Sequence, residues 1–213
     1  AAMQKEKMEI LDFLPKEFID RMVDLLGDKS EEFFKNYNEL PSIGVRWNRL
    51  FCDKEIFLKK LPFKTLQTPH CDEGFLLNEK RGDIGKSPYH HAGMYYLQEP
   101  SAMAPVVVLD PKQGERVLDL CAAPGGKSTQ IAARMEGKGI LVSNEIVKNR
   151  AQILISNIER MGVTNAVIVN ASPDTIAKTL PYWFDKVLVD APCSGEGMFR
   201  KNPKSIAEWT ENS

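Results

Sequence analysis

Apolar positions recur at helical spacing from Phe13 to Leu26, where Phe13, Leu14, Phe18, Met22, Leu25 and Leu26 share one face. Pro15 near the start and Gly27 after the end bound this predicted amphipathic helix. Ser30 reads as the N-cap of a second short helix through Phe33 and Phe34. The pattern then changes: Ile43-Gly44-Val45-Arg46-Trp47-Asn48 predicts a short strand within Ile43 to Leu50, and a basic, apolar stretch follows from Ile56 to Phe63. Helices followed by a strand predict a small α+β unit. Gly82, Gly85, Ser87 and Pro88 form a breaker-rich stretch that places a domain boundary there, giving domains 1–86 and 87–213.

Beyond that boundary the period alternates regularly. A helix is expected from Glu99 to Leu109, then strands at Arg116 to Leu120, Gly139 to Asn144, Ala166 to Asn170 and Lys186 to Val189. Helices from Lys127 to Met135, from Lys148 to Met161 and near Ile176 fall between them. Short connections between alternating strands and helices predict an α/β fold whose parallel sheet is covered on both faces.

Composition narrows the class without naming a partner. The 213 residues are 43% hydrophobic, enough for one ordinary domain and a smaller companion. Lys and Arg total 28 against 29 for Asp and Glu, so the whole chain carries no nucleic-acid footprint, and any such affinity must be local. Arg46, Arg49, Lys54, Lys59, Lys60 and Lys64 outnumber Asp53 and Glu55 between Ser42 and Lys64, which makes that stretch a candidate phosphate-facing surface beside the alternative of an ordinary solvated face. Cys52, Cys71, Cys121 and Cys193 lie too far apart for a C-x-x-C pair, and a reducing cytoplasm is expected. No apolar run approaches the roughly 20 residues of a membrane helix, so no membrane association is expected. Ala1 and Ala2 precede the first methionine, Met3, which suggests either added residues or an incomplete copy of a longer gene.

Three segments carry chemistry. In the first, Val117-Leu118-Asp119-Leu120 runs into Cys121-Ala122-Ala123-Pro124-Gly125-Gly126-Lys127-Ser128, a strand, a small-residue loop and a helix start. Such a loop brings backbone N–H groups and a helix N-terminus against a ligand. A P-loop needs glycine where Cys121 stands, and the dinucleotide fingerprint needs spaced glycines where only the adjacent Gly125 and Gly126 occur. Something other than pyrophosphate is implied. In the second, Glu145 ends the next strand, where an acid in a doubly wound sheet accepts hydrogen bonds from ribose hydroxyls, so adenosine is the implied ligand. In the third, Val187-Leu188-Val189-Asp190-Ala191-Pro192-Cys193 delivers Asp190 and Cys193 at the carboxyl end of a strand, where ligands bind in such sheets.

These segments together resemble the Nop/Sun family of RNA (cytosine-5) methyltransferases, in particular its bacterial ribosomal-RNA branch. Leu120 to Lys127 is similar to the family's cofactor loop, and Asp190-Ala191-Pro192-Cys193-Ser194-Gly195 to its active-site strand. Tyr95-Tyr96-Leu97-Gln98-Glu99-Pro100-Ser101 is similar to the segment preceding the loop, and Pro41 to Asn48 to the family's RNA-binding N-terminal region. The resemblance implies a Rossmann-like sheet that binds S-adenosyl-L-methionine, incomplete here because four strands are visible against the seven of such sheets. It implies Cys121, Ala122, Ala123, Pro124, Gly125, Gly126, Lys127, Glu145, Arg150, Ser172 and Asp190 at the cofactor, with Ser172 standing where many relatives carry an acid.

The implied reaction adds a cysteine thiolate to C6 of cytosine, methylates C5, removes the C5 proton and expels the thiolate. Asp190 would contact the ring and help stabilise the activated base, Lys127 would lie at the active site beside the cofactor loop, and Cys193 would resolve the covalent intermediate. The nucleophile of the family lies in a Thr-Cys pair after the next strand, and the sequence ends at Ser213 without one. The chain is therefore expected to be the N-terminal part of a longer, monomeric enzyme and inactive alone. The alternative is a non-catalytic cofactor- or RNA-binding fragment. DNA cytosine enzymes are set aside because their Pro-Cys-Gln motif is here Pro192-Cys193-Ser194-Gly195. The expected partner is RNA, ribosomal in preference to transfer RNA, with the target cytosine unpaired or flipped. Arg200, Lys201 and Lys204 are further candidates for phosphate contacts. His70-Cys71 and His90-His91 lack a second ligand pair at zinc spacing, so no metal is expected; His90 and His91 belong with the Tyr95-Tyr96 segment.

Overall fold

The computed structural model describes residues 13–39, 42–77, 83–200, 202 and 204–210, and the chain divides into two units, Ala1–Pro41 with Pro192–Ser213, and Ser42–Ala191. Gly82, Lys201, Pro41 and the residues around Met3 lie outside the described residues. Among the described residues no helix is long and apolar enough to cross a membrane.

In the first unit, helix α1 (Lys16–Leu26) starts after Pro15 and ends at Gly27, whose φ of 53° suits a residue without Cβ. A 3-10 turn at Gly27–Lys29 leads directly into α2 (Ser30–Lys35). Ser30 is thus the first helical residue and not a cap: its φ and ψ are already helical and its N–H bonds the Gly27 carbonyl, so its hydroxyl caps nothing. Phe18, Phe34 and Phe199 are buried together, with the Phe18 and Phe199 rings 5.2 Å apart edge to face and Trp209 against both. Glu196 accepts from Arg21 and from Trp209 Nε1, and Arg200 donates to the Asn36 carbonyl at 3.0 Å, so this arginine is engaged within its own unit. Lys204 opens the short helix Lys204–Glu208 and is exposed.

The second unit carries both sheets. In the first, β1 (Gly44–Trp47), α3 (Lys54–Lys60), β2 (Thr65–Gln67), β3 (Gly74–Leu77), α4 (Pro88–His91) and β4 (Tyr95–Leu97) follow one another, and the strands pair antiparallel in the order β2-β3-β1-β4. Val45, Phe57, Phe75, Ile84, Met94 and Tyr95 form its core. The basic, apolar stretch at Ile56 to Phe63 is thus mostly helix, with Phe57 inside and Lys59 and Lys60 in solvent. β4 lies downstream of the boundary expected at residue 86, because Arg46 and Trp47 of β1 pair with Tyr96 and Tyr95.

After α5 (Ala104–Leu109) come β5 (Arg116–Asp119), α6 (Gly126–Met135), β6 (Ile140–Asn144), α7 (Lys148–Arg160), β7 (Ala166–Val169), α8 (Pro173–Thr179) and β8 (Lys186–Leu188). All four strands are parallel, in the order β7-β6-β5-β8. The alternation of side chains along a strand explains the layering. Val117 and Leu141 pack with Val106 of α5 and Ile131 of α6, while their neighbours Leu118 and Val142 meet Ile176 of α8. β8 pairs only with β5 among the described residues, and Val187 and Val189 at that edge are exposed.

Candidate functional site

The chain leaves β5 toward β6 and β7 and returns on the other side as β8, so strand order reverses between β5 and β8. In open α/β sheets the crevice at the carboxyl ends of such a pair is where ligands bind. A cavity of about 220 Å³ lies there, lined by Tyr96, Leu97, Gln98, Glu99 and Ala102 on one side, Cys121, Ala122, Ala123, Pro124, Gly126 and Lys127 on another, and Asp190 after β8.

The loop between β5 and α6 is tied down by its carbonyls. Leu120 O accepts from Asn144 Nδ2, Ala123 O from Arg150 Nη2 at 3.0 Å and Pro124 O from Asn157 Nδ2 at 2.8 Å. Gly125 O accepts from the Thr129 N–H and hydroxyl, and Gly126 O from Arg46. Gly125 takes a φ of 112°, and a Cβ on Gly126 would stand 3.3 Å from the Tyr96 ring. The first N–H groups of α6 have no intrahelical partners, as at any helix start, which suits this end to a polar ligand.

Lys127 Nζ donates to Asp190 Oδ2 at 2.6 Å, the lysine mostly buried and the aspartate 57% exposed. Glu145 is 2% exposed; its Oε1 accepts from the Val147 N–H at 3.0 Å and its Oε2 lies 3.5 Å from Arg150. It stands at the end of β6, outside the cavity lining, although the Ala122 N–H donates to Asn144 O beside it. Arg150 is surface-exposed and holds the loop through Ala123. Ser172 caps α8, its hydroxyl accepting from the Thr175 N–H. The structure thus brings together Cys121, Ala122, Ala123, Pro124, Gly126, Lys127 and Asp190, and leaves Glu145, Arg150 and Ser172 on neighbouring elements. Cys193 belongs to the other unit and is exposed. His70 Nε2 lies 2.9 Å from Pro100 O, and His90 packs on Tyr95.

Two contributors are absent from the motif reading. Arg46, expected on a phosphate-facing surface, is 1% exposed, and Arg49 is drawn into an ion pair with Glu73 at 3.1 Å, leaving Lys59, Lys60 and Lys64 as that stretch's exposed basic groups. Asp119, the acid directly before the loop, is fully buried; its Oδ2 accepts from Ser128 Oγ at 2.7 Å, and its Oδ1 has no hydrogen-bond donor among the described residues. Burial pushes its carboxyl up to about 6, with Asp190 adding to the effect and Ser128 and Lys127 opposing it. Burial, with Asp119, Glu145 and Asp190 nearby, raises the Cys121 thiol, which argues against a thiolate there.

A carboxyl whose folded value lies above its unfolded one favours the protonated state. Asp119 therefore contributes stability below about pH 4 that is lost as pH rises through about 6. Relative to Asp119→Asn, the wild type should lose roughly 2 to 3 kcal/mol between pH 4 and 7. Urea unfolding of both proteins across that range measures it, and a constant difference would contradict the assignment.

Residues 106–212 match the family model for 16S rRNA methyltransferase RsmB/F, and residues 14–100 that for the N-terminal domain of 16S rRNA methyltransferase RsmF. Ribosomal RNA small subunit methyltransferase F of Pectobacterium carotovorum subsp. carotovorum (strain PC1) is 38% identical over 210 residues, covering 94% of this chain and 43% of the relative. Its namesake in Aliivibrio salmonicida (strain LFI1238) is 37% identical over 211 residues, covering 94% and 45%. The chain therefore spans under half the length of these curated relatives. A crystal structure of a methyltransferase homologue from Pyrococcus horikoshii superposes with a TM-score of 0.81 at 32% identity, covering 94% of this chain and 67% of that one. On these matches and on the switch-point architecture, the chain belongs to the 16S rRNA methyltransferase RsmB/F family.

Proposed function

We propose that the chain is the front part of an enzyme that transfers a methyl group from S-adenosyl-L-methionine to C5 of a cytosine in RNA, ribosomal RNA in preference to transfer RNA. The observation that carries this reading is the Lys127–Asp190 pair beside the cofactor loop at the switch point. The residues present suit the cofactor. A buried carboxylate, Glu145, follows β6 on the neighbouring strand end, where ribose-binding acids stand in such sheets, the N-terminus of α6 borders the crevice, and Asp119 keeps a buried oxygen without a donor among the described residues. The cavity is smaller than the ~300 Å³ and more that a whole ligand of this size fills. Its lining residues would hold the reacting end, and Glu145 would receive the ribose hydroxyls.

S-adenosylmethionine, when bound, supplies an electrophilic methyl group. Asp190, the more exposed partner, accepts a hydrogen bond from the 4-amino group of the cytosine, and Lys127 behind it stabilises negative charge developing on the activated base. Cys193 resolves the adduct formed when a second cysteine adds to C6. That second cysteine belongs to the family's Thr-Cys pair, which we place in the part of the relatives that this chain does not span. The N-terminal α+β part, divided after residue 86 but completing its sheet with β4, meets RNA phosphates through Lys59, Lys60 and Lys64. We place the enzyme in the cytoplasm as a monomer. Among the described residues β8 pairs with β5 alone, which favours a second reading for this stretch of chain, that of a cofactor-binding module without turnover.

Mapping of 5-methylcytosine in ribosomal and transfer RNA after incubation with the full-length enzyme tests the reading; RNA left unmodified counts against it. In that enzyme Cys193→Ala should accumulate a covalent protein–RNA adduct resolvable on a denaturing gel, and free turnover would contradict the resolving role.

A further inference from the structure

Arg46 is the largest fully buried side chain among the described residues. Its partners are neutral oxygens: Nη1 donates to Gln98 Oε1 and to the Gly126 carbonyl, and Nη2 to Thr129 Oγ1 at 2.7 Å. The guanidinium also lies over the Tyr96 ring, 5.3 Å from its centroid. Burial lowers it to about 10, still charged at neutral pH. A buried charge is costly, and a sheet can fill a strand position more cheaply with an apolar residue. The position of the partners gives this charge its use. Gly126 directly precedes Lys127, and Gln98 passes the restraint on by donating Nε2 to Ala102 O at 2.9 Å. Tyr96, Gln98 and Ala102 form one wall of the cavity, and Gly126 and Lys127 form another.

We propose that Arg46 is a positioning residue that locks the two walls of the cavity together, holding the start of α6 and Lys127 in register for cofactor and base. The inference rests on the cofactor reading for its ligand, but not for the loop geometry. A planar fork with several donors meets three oxygens at once, whereas a lysine ammonium is a single point. Arg46 does not itself line the cavity; it acts through the lining residues Gly126, Gln98 and Tyr96.

The test uses this chain with S-adenosylhomocysteine as probe, comparing wild type, Arg46→Lys, Arg46→Met and Thr129→Val. Calorimetry should show affinity falling about tenfold or more in Arg46→Met, less in Arg46→Lys, and a few-fold in Thr129→Val, which removes one oxygen and keeps the arginine buried. Amide exchange at Thr129 and Gln130 should quicken in the same order while that of β6 stays as in wild type. Thr129→Val serves should Arg46→Met fail to fold. Wild-type affinity and unchanged exchange at α6 in a folded Arg46→Met or Thr129→Val overturn the inference. Exchange reads the loop with or without ligand, so a wild-type chain that binds no S-adenosylhomocysteine counts against the cofactor reading alone.

Discussion

Glu73→Gln should lower the unfolding free energy of the Ser42–Ala191 unit by about 3 kcal/mol, the low end of the cost of stripping a buried pair of one partner. Glu73 at 1% exposure sits just before β3 and meets two cations: Arg134 of α6 donates to Oε2 at 2.9 Å with Nε 2.8 Å from Oε1, and Arg49 lies 3.1 Å away. Cys71 Sγ donates to the same carboxylate at 3.1 Å. Burial resists ionisation here, but Arg134, Cys71 and Arg49 outweigh it and hold the carboxyl below its usual range. Glutamine keeps the shape and one acceptor but leaves both guanidiniums without a counter-charge. Arg49 is 30% exposed and can turn to water, which is why the low end applies. Urea unfolding followed by tryptophan fluorescence measures the change. A loss under about 1 kcal/mol would mean that the cluster behaves as a surface ion pair.

Asp190→Ala in the full-length enzyme should cut methyl transfer by about two to three orders of magnitude while barely moving stability. The decision between those effects comes from exposure. Asp190 is 57% exposed, so its pair with Lys127 is screened and contributes on the order of 0 to 1 kcal/mol to folding. Charge stabilisation of a reacting base in a closed site is worth far more than the same pair in solvent. Single-turnover methylation with thermal melting on the same samples separates the two. Retained activity, or a melting loss as large as that of Glu73→Gln, would remove Asp190 from the reaction.

The parallel sheet was legible because its strands are apolar runs closed by small residues, and each run buries alternate faces against α5 and α6 or against α8. The loop from Cys121 to Lys127 was legible by its small residues, since only those allow the φ of Gly125 and the close approach of Tyr96 to Gly126. Of the N-terminal sheet only β1 was legible, from the Ile43–Asn48 pattern. β2 is three residues of which Leu66 and Gln67 face solvent, too short and too polar for a period to show, and β3 follows it after a turn. Arg46 read as surface because an arginine in an isolated strand normally is; its partners lie 52, 80 and 83 residues away, and no local pattern encodes such distances. Ser172 was placed by position against relatives, whereas its hydroxyl is spent on the N-terminus of α8.

On the proposed reading, the crevice between the ends of β5 and β8 binds S-adenosylmethionine through the Cys121–Lys127 loop, with Glu145 beside it. A backbone NMR titration of the isotope-labelled chain with S-adenosylhomocysteine tests it directly. Saturable shifts should concentrate at Leu120 to Ser128, at Asn144 to Ile146 and at Asp190, with β2 and β3 unmoved. Absence of saturable shifts, or shifts confined to elements away from the β5 and β8 ends, would contradict it.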